Sequence, residues 1–152
     1  VTGYEASFEP VMRQAIAQAA RSGDDVPVGA LVLDPSGVVV GTGWNQRESG
    51  ADPTAHAEVI ALRTAGSALG SWRLGGCTLV VTLEPCTMCA GALLASRLDR
   101  LVYGARDPRA GAAGSVWDVL HDPRLGEPVE VVGGVLADEC AALLRDFFER
   151  RR

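Results

Sequence analysis

Four cysteines, Cys77, Cys86, Cys89 and Cys140, are all that 152 residues contain, too few to staple a fold of this length through disulfides. No apolar run approaches the roughly 18 residues that a membrane-spanning helix needs, so no membrane association is expected. Val1 to Pro10 lacks a basic stretch followed by an apolar one, so no secretory signal is expected and a cytoplasmic location is. The chain opens on Val1 instead of methionine, which leaves its native start open. Lysine is absent: all 14 basic residues are arginine, and 19 acidic residues leave a net charge of −5. That sign runs against the usual footprint of a nucleic-acid binder. Arginine, however, stacks on bases and forks onto phosphates better than lysine does, so a local patch for RNA stays open. Arg150, Arg151 and Arg152 close the chain, either as part of such a patch or as a solvated tail.

What is present is a globular composition, 47% hydrophobic and 22% charged, in a length that suits a single domain over residues 1–152. Phe8, Val11, Met12, Ala15, Ile16 and Ala19 fall on one helical face. Two strands follow, Ala30 to Leu33 and Val38 to Trp44, joined by the turn Asp34-Pro35-Ser36-Gly37 as an antiparallel hairpin. Thr54 is placed to cap a helix running to about Ala68, with Ala57, Ile60, Ala61 and Ala65 inward. Cys77 to Leu83 reads as a buried strand, and a second small-residue helix runs from Cys86 through Ala95. Asp99 to Ala105 and Val129 to Val132 are further strands, Arg106 to Ser115 is a loop, and Asp138 to Arg150 is a closing helix. Strands alternating with helices predict an α/β layered domain, with a central sheet of about five strands between helices.

The polar chemistry collects at two helix starts. His56-Ala57-Glu58 opens one helix and Pro85-Cys86-Thr87-Met88-Cys89 the other. The positive end of a helix favours thiolates. Cys86 and Cys89, three apart on a first turn, face one way, as a zinc chelate requires, although C-x-x-C by itself is equally a redox spacing. His56 would complete three protein ligands. The remaining soft or nitrogen donors, Cys77, Cys140 and His121, have no chelate spacing to this set. Three ligands with an open position is the arrangement of catalytic zinc, and Glu58 is then placed as the base beside a zinc-activated water. Residues two apart on a regular helix point roughly 200° apart, so His56 must occupy the capping end if Glu58 shares its site.

The order H-x-E followed by P-C-x-x-C is the recognised signature of zinc nucleobase deaminases. Beyond it, Asp25-Val26-Pro27-Val28-Gly29-Ala30, Gly43-Trp44-Asn45, Thr82-Leu83-Glu84-Pro85-Cys86, Gly104-Ala105-Arg106-Asp107 and Gly111-Ala112-Ala113-Gly114-Ser115 resemble the bacterial tRNA-specific adenosine deaminases. The last helix, Leu136 to Leu144 with Asp146-Phe147-Phe148, resembles that family as well. The resemblance implies a three-layer cytidine deaminase-like fold, a homodimer, one zinc per subunit, and hydrolytic conversion of adenosine to inosine at the wobble position of an arginine tRNA. It further implies that Asn45 contacts the target nucleoside, that Val28 and Ala55 wall the base pocket, and that Asp107 and Arg109 touch anticodon nucleotides. Phe147 and Phe148 are adjacent, so only one can easily face the core; the other, taken as Phe148, is a stacking platform for a splayed base or part of a dimer seam.

Three other readings stand beside this one. A deaminase of free guanine, cytosine or cytidine would keep His56, Glu58, Cys86 and Cys89, and the acidic net charge suits it. A zinc-stabilised binding module would need a fourth protein ligand. A C-x-x-C redox protein would leave His56-Ala57-Glu58 without a role.

Overall fold

The computed structural model describes residues 3–152; Val1 and Thr2, where the chain start was read, lie outside the described residues. Five strands form one sheet in the order β2-β1-β3-β4-β5. They are β1 (Gly29–Leu33), β2 (Val39–Trp44), β3 (Thr78–Leu83), β4 (Arg100–Ala105) and β5 (Glu130–Val132). β1 pairs antiparallel with β2, as the hairpin predicts, and also with β3, whereas β3–β4 and β4–β5 are parallel. The parallel half follows from two long crossovers, through the helix Thr87–Ala95 between β3 and β4 and through the loop and 3₁₀ turn between β4 and β5, since parallel strands need such connections.

Helices cover both faces. They are α1 (Gly3–Ala6), α2 (Glu9–Ala19), α3 (Ala57–Leu69), α4 (Thr87–Ala95) and α5 (Ala137–Glu149). Side chains alternate between faces along a strand, and the apolar runs of β1, β3 and β4 therefore feed two cores. Ala30, Val32, Leu79, Val81 and Leu101 pack with Ala57, Ala61 and Leu93 of α3 and α4. Leu31, Leu33, Val80 and Val102 pack on the other side with Met12, Ala15 and Cys140 of α2 and α5. The three-layer mixed-sheet expectation holds. Only the single-turn α1, preceding α2, and two short 3₁₀ turns at 20–22 and 123–125 lack a counterpart in the sequence reading.

Two sequence details are corrected. Thr54 does not cap α3, because its hydroxyl donates to the Asp52 carboxylate at 2.8 Å; the capping position belongs to His56. The terminal arginines are not wholly a solvated tail, because the Arg151 guanidinium lies 3.6 Å over the Phe147 ring and reaches the Asp24 carboxylate at 3.4 Å.

α3 sits unusually close to β2. Gly41 and Gly43 face it, and a Cβ on Gly43 would fall on the Ala57 carbonyl oxygen and within 2.8 Å of the Ala61 nitrogen. Ala57, Ala61 and Ala65, one turn apart and fully buried, complete a contact made almost entirely of backbone and methyl groups. This contact fixes the height at which α3 begins, and with it His56 and Glu58. Gly43→Ala is expected to destabilise the protein by about 1–3 kcal/mol through overpacking, read as a lower denaturant midpoint. An unchanged midpoint would show that α3 can retreat without cost.

Candidate active site

The backbone at the two helix starts explains why the donors meet. His56 (φ −73°, ψ 152°) and Cys86 (φ −75°, ψ 176°) are extended residues immediately before α3 and α4. Being outside the helical spiral, the His56 ring escapes the angular conflict with Glu58. Its Nδ1 lies 3.6 Å from Cys86 Sγ and 3.5 Å from Cys89 Sγ. All three donor atoms stand within 4.8 Å of one another, the only such His/Cys/Asp/Glu group among the described residues.

A nitrogen and a sulfur on one tetrahedral zinc stand about 3.6 Å apart, given bond lengths of about 2.0–2.1 Å and 2.3 Å. The donor set therefore fits zinc in both chemistry and spacing. The other donors are engaged elsewhere. Cys77 and Cys140 are buried at other points of the core, and the His121 ring bonds the Asp118 carboxylate at 2.7 Å and the Val129 carbonyl at 2.8 Å. With no fourth protein donor gathered among the described residues, the site matches the three-ligand pattern of catalytic zinc.

Electrostatics point the same way. Hydrogen bonding from the Cys89 thiol, opposed by burial and helped by the His56 ring, pulls Cys86 down to about 4. The same contact with Cys86, together with burial, pushes Cys89 well up, while His56 is raised chiefly by its bond to Cys86. One thiolate thus forms readily, and the second requires a cation beside it. Glu58 is 5% exposed, and burial pushes its carboxyl up to about 7.

A cavity of about 200 Å³ opens on this cluster, lined by Val28, Asn45, His56, Glu58, Cys86 and Asp107 among others. Six of the residues singled out from sequence are therefore brought to one place, with Cys89 buried at the cluster. Ala55 is buried but not in the lining, and Arg109 and Phe148 are exposed outside it. Phe147 takes the core position and Phe148 the exposed one, with the rings edge to face at 5.2 Å. The Asn45 side chain is partly committed: its Nδ2 donates to the Val26 carbonyl at 3.1 Å and its Oδ1 accepts from the Arg47 N–H at 3.0 Å. One amide N–H is left over.

Sequence reasoning missed three residues. Arg47 and Glu84 also line the cavity, and Asp25, 2% exposed, accepts from the Glu48 and Ser49 N–H groups at 2.7 and 3.2 Å, which holds the loop that carries Arg47. The signal available was an acid inside an apolar stretch, as at Thr82-Leu83-Glu84-Pro85, where a carboxylate is buried only with partners.

Fold and donor set together are those of a zinc-dependent deaminase, and residues 6–105 match the family model for the cytidine and deoxycytidylate deaminase zinc-binding region. Within that class the chain belongs to the tRNA-specific adenosine deaminase family. It is 47% identical over 146 residues to the tRNA-specific adenosine deaminase of Haemophilus influenzae, spanning 95% of this chain and 84% of that one. A solved structure from a study of A-to-I editing by tRNA:A34 deaminases at the wobble position matches with a TM-score of 0.83. That match has 41% identity and covers 88% of this chain and 97% of that one. The chain is also 52% identical over 134 residues to the tRNA(Ile)-lysidine synthase of Deinococcus radiodurans, where it spans 88% of its own length but 23% of that protein's.

The purified protein is expected to hold one zinc per chain by metal analysis. His56→Ala, Cys86→Ala and Cys89→Ala should each lose it, while Cys77→Ala and Cys140→Ala keep it. Zinc retained by Cys89→Ala would remove that residue from the ligand set.

Proposed function

We propose that this chain deaminates adenosine to inosine at the wobble position of a tRNA, an arginine tRNA by the resemblance of its motifs. The observation that carries this reading is the convergence of His56, Cys86 and Cys89 with buried Glu58 at one cavity walled by Val28 and Asn45. Family membership supports the RNA substrate over a free base or nucleoside.

Zinc held by His56, Cys86 and Cys89 would act as a Lewis acid that brings the pKa of a water towards about 7. Glu58, in the same cavity and shielded from solvent, takes a proton from the attacking water. It passes that proton to ring N1 of the adenine, then takes the second proton from the hydroxyl added at C6 and delivers it to the amine, so that the C–N bond breaks, ammonia leaves and the C6 carbonyl of inosine remains. Val28 presents an apolar wall to the base, and the free N–H of Asn45 orients the nucleoside. The Asp107 carboxylate, whose Oδ1 accepts the Arg109 and Ala110 N–H groups at 3.0 and 3.2 Å, sits at the rim and accepts from a ribose hydroxyl. Arg109 and Phe148, exposed beyond the cavity, meet a phosphate and a splayed base, and Ala55 packs behind the wall.

Residues 1–152 are read as one deaminase domain, supported by the single sheet. A homodimer is supported by an open apolar groove of about 860 Å³ along α3 and α4, lined by Val59, Leu62, Ala92 and Ala95, where Trp72 is 61% exposed. No helix among the described residues is long and apolar enough to cross a membrane. Four unpaired cysteines suit a reducing, cytoplasmic setting.

The test offers the zinc-loaded protein an arginine-tRNA anticodon stem-loop with adenosine at the wobble position, beside free adenosine, cytidine and guanine, and measures inosine and ammonia. Inosine from the stem-loop alone is expected. Ammonia from a free base or nucleoside, with the RNA untouched, would overturn the tRNA assignment. Glu58→Ala is expected to lower turnover by about 10²–10⁴ while zinc stays bound, and full activity in that variant would end its proposed role.

A further inference from the structure

Glu84 is a buried carboxylate that the chemistry leaves unused. It is 2% exposed and precedes Pro85 and Cys86, yet its side chain turns away from the metal donors to the loop at residues 106–115. Oε1 accepts the Asp107 N–H at 3.1 Å and the Ser115 hydroxyl; Oε2 accepts the Ala113 and Ser115 N–H groups, each at 3.0 Å. An ionised carboxylate has about four acceptor sites, and four donors from three loop residues fill them. The loop passes so close that a Cβ on Gly111 would collide with this carboxylate. Alongside, the Ala112 N–H donates to the Pro85 carbonyl at 2.8 Å, and the Glu84 N–H to the Ala105 carbonyl at 2.8 Å.

With no acceptor site left over, Glu84 cannot relay a substrate proton, and the loop is wrapped around its carboxyl group. The same loop supplies Asp107 and Ala110 to the cavity wall and carries Arg109 outward.

We propose that Glu84 is a positioning residue: by latching residues 106–115 to the strand end that leads into the metal ligands, it sets how tightly the RNA is held, and not the proton chemistry. The inference rests on the tRNA reading given above. Glutamine is a sharp probe, because its amide keeps one oxygen and turns an NH₂ group towards N–H donors. Ser115→Ala is the milder probe, deleting one donor and leaving the carboxylate in place.

Steady-state kinetics on the anticodon stem-loop and amide hydrogen exchange are measured on the zinc-loaded wild type, Glu84→Gln and Ser115→Ala. Glu84→Gln is expected to raise KM by at least about tenfold with kcat changed less than about threefold, and to keep its zinc. The amides of Asp107, Ala113 and Ser115 should lose protection. Ser115→Ala should shift KM and the Ser115 amide the same way by less, which tests the latch even where Glu84→Gln does not fold. A fall in kcat at constant KM, loss of zinc with the loop amides still protected, or an unchanged Ser115→Ala would each overturn the proposal. Exchange needs no substrate: a wild type that leaves the stem-loop untouched sinks the tRNA reading alone, and protected loop amides in Glu84→Gln sink the latch alone.

Discussion

His56 and Cys86 each occupy the last extended residue before a helix, and the site exists because those two points lie close enough for a ring nitrogen and a sulfur to stand 3.6 Å apart. Neither helix could start there by accident of packing. α3 is brought down onto β2 by Gly41 and Gly43 opposite Ala57, Ala61 and Ala65, and α4 springs from the end of the buried central strand β3. The first turn of each helix leaves backbone N–H groups without intrahelical partners, a partial positive charge that favours thiolate and carboxylate nearby. Fold and chemistry thus share one cause, the close seating of small residues under two helix starts.

An acidic chain places several of its acids where water does not reach. Glu58, Asp25 and Glu84 are each 5% exposed or less, and their fates differ with their partners. Asp25 and Glu84 accept several N–H or O–H donors from neighbouring loops, so both stay below the usual range and act as anchors. Glu58 lacks that set of donors, and burial lifts it towards neutrality, where a proton can be both accepted and returned. Buried carboxylates in one neighbourhood thus take different states, two held as anions by loop donors and one lifted by burial, decided by what donates to each.

Much of this was legible in the sequence. Apolar and β-branched runs bounded by turn signals located all five strands, several of them buried on both faces, and helical spacing and small-residue runs located every helix of more than one turn among the described residues. The donor cluster was legible because chelation demands close spacing on one turn, and the angular conflict between His56 and Glu58 already required His56 to stand outside the helix. Less visible was what depends on contacts between distant segments. Thr54 looked like a cap until Asp52 claimed its hydroxyl, and Glu84 looked like part of a motif until three residues of a loop more than twenty positions away closed on it. Side chains that bond the backbone of a remote loop leave no periodicity behind. For the same reason Asn45 could be placed at the cavity from its position after β2, but not its commitment to Val26 and Arg47.

X-ray absorption at the zinc edge of the metal-loaded protein tests the central claim most directly, because it reads the donor set without reference to activity. The account predicts one nitrogen and two sulfurs from the protein, with one further light atom from solvent. A shell with three sulfurs, or with no nitrogen, would contradict it and leave the two helix starts without their common purpose.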